Sequence, residues 1–298
     1  MEYFTIKDIE NLSGIKAHTL RIWEQRYDLF TPQRKTSQHR IYDNEDLKQL
    51  LRISFLYHNG WKISKIAVLM PEEIAEKVRQ YEINSTTYKT FIIQMIEAAV
   101  DFNEEAFVNI INSLVEKIGF EKCIANVCYP YLNRVGMLWV TNNIIPAQEH
   151  FSSYIIQNRI IAETDKLDST TKSPTILLFS PKGEYHELPL LFINYLLKKN
   201  GWKVIYLGIN MGKEVVKQFT ASEEIEYLFI HHITNFTGWD ADVYFEDIAK
   251  SFPSKKIIVA GTVAHQLQRT FSNLALLKSD KDIYAFAEKT NLRHLGST

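Results

Sequence analysis

Residues 175 to 190 read Thr175-Ile176-Leu177-Leu178-Phe179-Ser180-Pro181-Lys182-Gly183-Glu184-Tyr185-His186-Glu187-Leu188-Pro189-Leu190, and the chain stays largely apolar to Leu197. A short apolar run of strand length, a polar turn with one glycine and a helix-length apolar run follow one another. The same alternation continues downstream. Strands are expected at 175–180, 203–207, 226–232 and 255–260, with a weaker one at 274–277, and helical stretches between them. Strands alternating with helices predict a parallel sheet covered on both faces, a Rossmann-like (flavodoxin-like) α/β domain. In such sheets ligands lodge beyond the carboxyl ends of the strands. Glu184 and His186 sit there, just past the first strand.

Upstream the pattern changes. From about 88 to 165 glycine is scarce, and apolar residues recur at three and four: Phe91, Ile92, Met95, Ile96, Ala99, then Phe107, Ile110, Ile111, Leu114, Ile118. That spacing predicts an α-helical bundle. Asp165 to Pro174 reads as a linker, and Pro71-Glu72-Glu73 opens a polar stretch before Asn84-Ser85-Thr86-Thr87. The expected division is 1–72, 86–166 and 174–298. Within the bundle, Trp139 closes one helix and Glu149-His150 opens the next, separated by Asn142-Asn143 and Pro146. Taken alone, these residues suit either a core tryptophan beside a solvated acid–imidazole pair or three groups around one cavity.

Composition bounds the rest. The 298 residues exceed one compact core and suit two or three modules. The net charge of −1 gives no whole-chain basic signature, though a small basic module can hide in a neutral average. Cys123 and Cys128 are not spaced as a CxxC pair and lie in a helical apolar stretch, so buried free thiols are expected. No run reaches membrane-spanning length and the first residues lack a basic-then-apolar pattern, so a cytoplasmic protein is expected. No Gly-rich phosphate loop and no Ser-His-Asp order stands out, and an enzyme is not expected. His58, His265 and His294 are isolated.

The first 70 residues hold short helices around a basic insert. Ile6 begins a helix after Thr5; Ser13-Gly14 turns the chain; a second helix carries Lys16-Ala17-His18-Thr19-Leu20-Arg21-Ile22-Trp23-Glu24-Gln25-Arg26-Tyr27. Leu20, Ile22 and Trp23 are expected in the core, with Lys16, His18, Thr19, Arg21 and Arg26 mostly outside. Thr31 to Tyr42 reads as a basic hairpin, with Arg34, Lys35, His39 and Arg40, and a helix follows from Asp43. Between Lys16 and Tyr42 six Lys/Arg face only Glu24 and Asp28, the local excess that phosphate contact needs. The ordered set Thr-Leu-Arg-x-Trp-Glu, Pro-x-Arg and Arg-x-Tyr strongly resembles the MerR family of winged helix-turn-helix transcription regulators over about residues 3–70. The resemblance implies binding of double-stranded promoter DNA as a dimer. Lys16, His18, Thr19, Arg21 and Tyr27 would serve the recognition helix and nearby phosphates, and Arg34, Lys35, His39, Arg40 and Tyr42 the wing and its support. No long heptad run follows Met70, so dimerisation must come from elsewhere in the chain.

Trp-x9-Glu-His on a small bundle, followed by Glu-x-His past the first strand, resembles the cobalamin-sensing MerR regulators, the CarA, CarH and LitR-like group, over nearly the whole chain. The resemblance implies a four-helix cap over the upper face of a corrin, with Trp139, Glu149 and His150 near the upper axial group. It implies an α/β domain below, in which His186 replaces the dimethylbenzimidazole tail as the lower cobalt ligand. Imidazole suits cobalt, and Glu184 would orient it through its other ring nitrogen. The chain departs from that pattern at several places. His186 is followed by Glu187-Leu188-Pro189, where the group has His-x-x-Gly. The third strand ends Ile230-His231-His232-Ile233, where the group has a small Ser or Thr, and a histidine there would fill the room meant for the nucleotide tail. Ala260-Gly261 stands for Gly-Gly, and Val140 for the histidine by which some light-responsive members bind cobalt. His231 and Gly261 therefore join the candidate cofactor-binding residues.

Three readings follow. The first is a regulator that senses cobalamin, adenosylcobalamin being one form, and changes its homodimer or homotetramer state and promoter binding. The second is the same regulator with a degenerate sensor that binds no cobalamin and answers a protein partner or another ligand. The third is a cobalamin-dependent methyl carrier, which has no reason to carry a winged helix.

Overall fold

The computed structural model of the chain describes residues 4–13, 15–27, 29, 33–34, 40–58, 60–84, 88–140, 146–167, 174–233 and 240–288. It divides into two compact units, 1–156 and 157–298.

The first unit opens with strand β1 (Phe4–Thr5), helices α1 (Ile6–Ser13) and α2 (Ala17–Tyr27), and strands β2 (Gln33–Arg34) and β3 (Arg40–Tyr42), in an antiparallel sheet of order β1-β3-β2. Leu20 and Trp23 lie one turn apart on α2 and are both buried. Ile22 does not join them. It is 50% exposed, because a residue two positions after Leu20 is rotated to another face of the helix. Helix α3 (Asn44–His58) starts where expected: Asp46 N–H donates to Asp43 Oδ1 (2.9 Å) and Asp43 N–H to Asp46 Oδ2 (3.1 Å), a reciprocal cap. After the short α4 (Ile63–Ile66), the polar stretch at Pro71 is a 14-residue helix, α5 (Pro71–Asn84). Pro71 suits a first turn, Met70 N–H donates to Glu73 Oε2 (2.8 Å), and Ile74 and Val78, four apart, are buried. A narrow two-residue stripe carried that helix, too thin to stand out from its polar neighbours.

Helices α6 (Lys89–Val100), α7 (Glu104–Ile118), α8 (Phe120–Cys123), α9 (Tyr129–Val140) and α10 (Pro146–Asp165) follow. A π-helical turn, Ile124–Cys128, joins α8 to α9. Cys123 precedes this turn and Cys128 ends it; both are buried and neither forms a disulfide. Met95, Ile96, Phe107, Ile111, Tyr131 and Val135 are buried as well, and the rings of Phe107 and Tyr131 meet edge-on at 5.4 Å. Gln148 Nε2 donates to the Val100 carbonyl (3.1 Å), tying the start of α10 to the end of α6.

Two ion pairs join α3 to α6. Arg52 donates from Nε and Nη2 to the two Glu97 oxygens, 2.9 Å each, and Lys48 Nζ reaches both Asp101 oxygens at 3.1 and 3.0 Å. A bidentate guanidinium–carboxylate pair fixes orientation as well as distance. Burial is the largest influence on Glu97 and raises its pKa, while Arg52 opposes it.

The second unit is a parallel five-stranded sheet of order β5-β4-β6-β7-β8: β4 (Thr175–Pro181), β5 (Lys203–Met211), β6 (Tyr227–His231), β7 (Lys256–Ala260) and β8 (Leu274–Leu277). Helices α11 (Glu187–Lys199), α12 (Lys213–Ser222) and α13 (Ala241–Ser251) connect the first four strands, a 3-10 turn (Thr262–His265) lies between β7 and β8, and α14 (Asp280–Ala287) follows β8. Leu177, Phe179, Leu228, Ile230, Ile257 and Val259 pack with Val216 of α12 and Phe245 and Ile248 of α13. The alternate residues of the strands face the other side, where Phe229 meets Phe286 of α14 and Trp202 Nε1 donates to the Ala287 carbonyl (2.8 Å). The strand order reverses direction at β4 and β6, so the ligand crevice of this fold lies at their carboxyl ends.

Removing Arg52 leaves Glu97 largely buried and unpaired. Arg52→Ala is expected to cost about 1.5–3 kcal/mol of stability, read as a lower urea midpoint of the full chain.

Candidate functional site

Past β4, Gly183 turns the chain at φ +91° and its N–H donates to Asn210 Oδ1 (2.9 Å). Asn210 itself holds φ +58°, and its N–H donates to the Glu184 carbonyl (3.2 Å). The loop is thus braced against the end of β5. These contacts place Glu184 at 0% exposure. Its Oε1 accepts from His186 N–H (2.9 Å) and lies 2.6 Å from His186 Nδ1; its Oε2 accepts from Ile233 N–H (2.7 Å) and lies 3.8 Å from His232 Nε2. A buried carboxylate is tolerated when it is so engaged, and here it joins the loop after β4 to the end of β6. The half-exposed His186 is held at Nδ1 by this carboxylate, and a metal would be met by its other ring nitrogen, Nε2.

His186 is the N-cap of α11, so Pro189 stands third in the helix. A first-turn residue has no intrahelical partner for its N–H, and proline is accommodated there without a break. The histidine-to-helix geometry survives the proline.

The end of β6 is crowded. His231 and His232 are buried, and burial pushes His231 down to about 4, so its imidazole is neutral. His232 is lowered for the same leading reason. His232 N–H donates to the Ala260 carbonyl (3.0 Å), and the His232 carbonyl accepts from Val263 N–H (3.2 Å). Gly261 has φ +94°, and a Cβ on it would lie 2.3 Å from the His232 carbonyl oxygen. Glycine is therefore required at 261 by backbone approach. His232 and Asn210 belong to this site although sequence reasoning did not single them out. The His231-His232 doublet at a strand end was the available signal for the first; nothing in the sequence marks the second.

In the first unit Glu149 and His150 pair at 3.2 Å early in α10, with His150 64% exposed and its ring 6.2 Å from that of Tyr154. Trp139 falls in the last turn of α9; its side chain lies outside the described residues.

On α2, His18 and Arg21 are exposed, with Thr19 Oγ1 3.3 Å from His18 Nε2. Lys16 is exposed and paired with Glu10 (3.0 Å), which also accepts from Ala17 N–H. Tyr27 is half-buried under the Arg26 guanidinium, 5.7 Å from its ring centre. Arg40 donates from Nε to Glu24 (2.6 Å), binding β3 to α2. Tyr42 is fully buried and braces the wing from within, with no surface to offer DNA. Arg34 lies on β2, whose side chains, like Lys35 and His39, fall outside the described residues.

Residues 4–73 match the family model described as MerR HTH family regulatory protein, and residues 93–162 the one described as B12 binding domain. The chain is a MerR-type transcriptional regulator with a B12-binding-type domain. It is similar to the HTH-type transcriptional repressor CarH of Myxococcus xanthus, 22% identical over 92% of this chain and 93% of that one. The HTH-type transcriptional repressor CarA of Myxococcus xanthus is 26% identical over 68% of this chain and 67% of its own length. Among solved structures, the monomethylamine corrinoid protein of Methanosarcina barkeri aligns over 68% of this chain and 100% of its own, with a TM-score of 0.56 at 15% identity; it shares the fold. Among the described residues, no helix of this regulator is long and apolar enough to cross a membrane.

The residues past β4 fit a cobalt macrocycle in one respect: a macrocycle-held cobalt asks one imidazole of the protein, and Glu184 holds one in a fixed orientation. Gly261→Ala is expected to lose about 1–3 kcal/mol through the positive φ alone, and more through the collision with the His232 carbonyl. Thermal unfolding of the full chain reads this; an unchanged midpoint would remove the requirement for glycine.

Proposed function

We propose that this MerR-type regulator binds a corrinoid through His186 and couples that binding to its grip on promoter DNA. The observation that carries the proposal is the 2.6 Å contact of the buried Glu184 with His186 Nδ1, which presets the ring for ligation through Nε2. A bound corrinoid would supply a cobalt centre able to exchange a ligand. The protein's residues do the remaining work. Glu184 fixes the tautomer of His186 and ties it to the end of β6, while Trp139, Glu149 and His150 are the bundle residues proposed for the upper face. Parts 1–72, 86–166 and 174–298 would act as DNA-reading, capping and corrin-holding domains. Binding would then alter how copies of the chain pack as dimers or tetramers, shifting the spacing of their DNA-reading heads. The Arg52–Glu97 and Lys48–Asp101 pairs tie α3 to the end of α6, and through them a displacement of the bundle would reach the head.

A visible absorption spectrum recorded after mixing with adenosylcobalamin or with adenosylcobinamide, its counterpart without the nucleotide tail, and removing unbound ligand tests the first part, retention of either being enough. The expected result is a retained corrinoid spectrum that His186→Ala abolishes and Glu184→Gln weakens. A wild-type protein left colourless by both corrinoids would leave the second reading, a sensor answering a protein partner or another ligand, which the buried His231 at the crevice favours. Gel filtration of apo and loaded protein, in dark and light, reads the assembly step, and an unchanged mass would count against it.

The DNA face makes a separate prediction. Arg21→Ala removes one exposed cation from the recognition helix, so binding should weaken for all sequences and the log–log salt slope should fall by about 1. Arg40→Ala should weaken binding mainly by freeing the wing from Glu24, seen as lower stability of the free protein. An unaltered salt slope in Arg21→Ala would remove Arg21 from the interface.

A further inference from the structure

We infer that the corrinoid site of this regulator takes a corrin ring but admits no nucleotide tail, because the His231 side chain closes the crevice between β4 and β6. The inference rests on the proposed function and names the class of ligand that site selects.

The closure follows from register. Phe179 pairs with Ile230 and His231 with Ala260, so Ser180, His231 and Ala260 lie side by side across three strands. Phe179, Ile230 and Val259 all point into the α12–α13 core, so their successors point the other way, toward α11 and α14. This row is the first layer beneath the carboxyl ends of the two strands where the order reverses. A ligand group entering the sheet from above must pass it.

At that row the chain places a ring. His231 is 5% exposed and Ser180 0%, so the imidazole is already enclosed by protein. Ser180 Oγ and His231 Nδ1 are both buried without a hydrogen-bond partner. A buried orphan of this kind costs about 1–3 kcal/mol. The register puts these two orphaned groups on neighbouring strands, so the His231 imidazole occupies the row that a ligand's heterocycle would have to enter. Its neutral form keeps a charge out of the sheet. The backbone that carries the ring is held in place. The β6 backbone is hydrogen-bonded to β7, and Gly261 and Val263 press on the His232 carbonyl immediately after it. The metal-facing imidazole, His186, stands outside this row and is half-exposed, so closing the crevice does not remove the ligand.

The test compares two corrinoids: aquacobalamin, which carries the nucleotide tail, and diaquacobinamide, which lacks it. Both are titrated into the full chain and followed by the visible spectrum. The wild type should bind cobinamide at least about tenfold more tightly than cobalamin. His231→Ser and His231→Ala, each checked for an unchanged thermal midpoint, should tighten cobalamin by a similar factor and leave cobinamide unchanged. Equal wild-type affinities for the two corrinoids would overturn the inference while leaving the proposed function standing, and this comparison needs no variant. An unaltered ratio in well-folded variants would overturn the role of His231. Failure of both corrinoids to bind wild type and variants alike would overturn the proposed function, and this inference with it.

Discussion

The structure of the α/β unit turns on one buried carboxylate. A charge at 0% exposure is costly unless several donors surround it. Glu184 meets that demand by taking the His186 and Ile233 N–H groups and approaching His186 Nδ1. Satisfying the carboxylate therefore draws the loop after β4 and the end of β6 together. The same contacts orient the imidazole, so what stabilises the loop also prepares the site. Asn210, in a left-handed conformation at the end of β5, completes the bracing from the other side.

In the first unit the corresponding constraint is the pair of ion pairs between α3 and α6. A winged helix-turn-helix has little core of its own, and the helices after it supply more. Arg52 and Lys48 aim two cations at two carboxylates one helical turn apart, Glu97 and Asp101, so rotation of α6 against α3 would strain both pairs together. Arg40 with Glu24 does the same between wing and recognition helix. A regulator benefits from such stiffness, since a change in one part reaches the DNA-reading surface only through parts that do not yield.

The sequence reading and the structure agree where periodicity is strong. The five strands fall within a few residues of their expected places, and the weak one at 274–277 is present. They part where a contact from far along the chain decides. Ile22 looked like core beside Trp23 and is half-exposed, because its position on α2 rotates it away from the face that Leu20 and Trp23 share. The polar stretch after Pro71 is a helix because Ile74 and Val78 find cover, which so sparse a pattern does not announce. Tyr42, expected in the wing and its support, is internal and can serve only the support. Pro189 looked like damage to the site and is a residue of the first helical turn.

The sequence by itself determined the kinds of module and the groups with chemistry: a basic winged head, a helical bundle, a parallel sheet, and a histidine with a carboxylate two residues before it. Those follow from local spacing and residue type. Only the tertiary structure decided how these groups are used. It brought Ile233, nearly fifty positions away, onto Glu184. It set Ser180 beside His231 through the β4–β6 register, and turned that row away from the α12–α13 core. Register and burial are properties of paired strands, and no single stretch of sequence contains them.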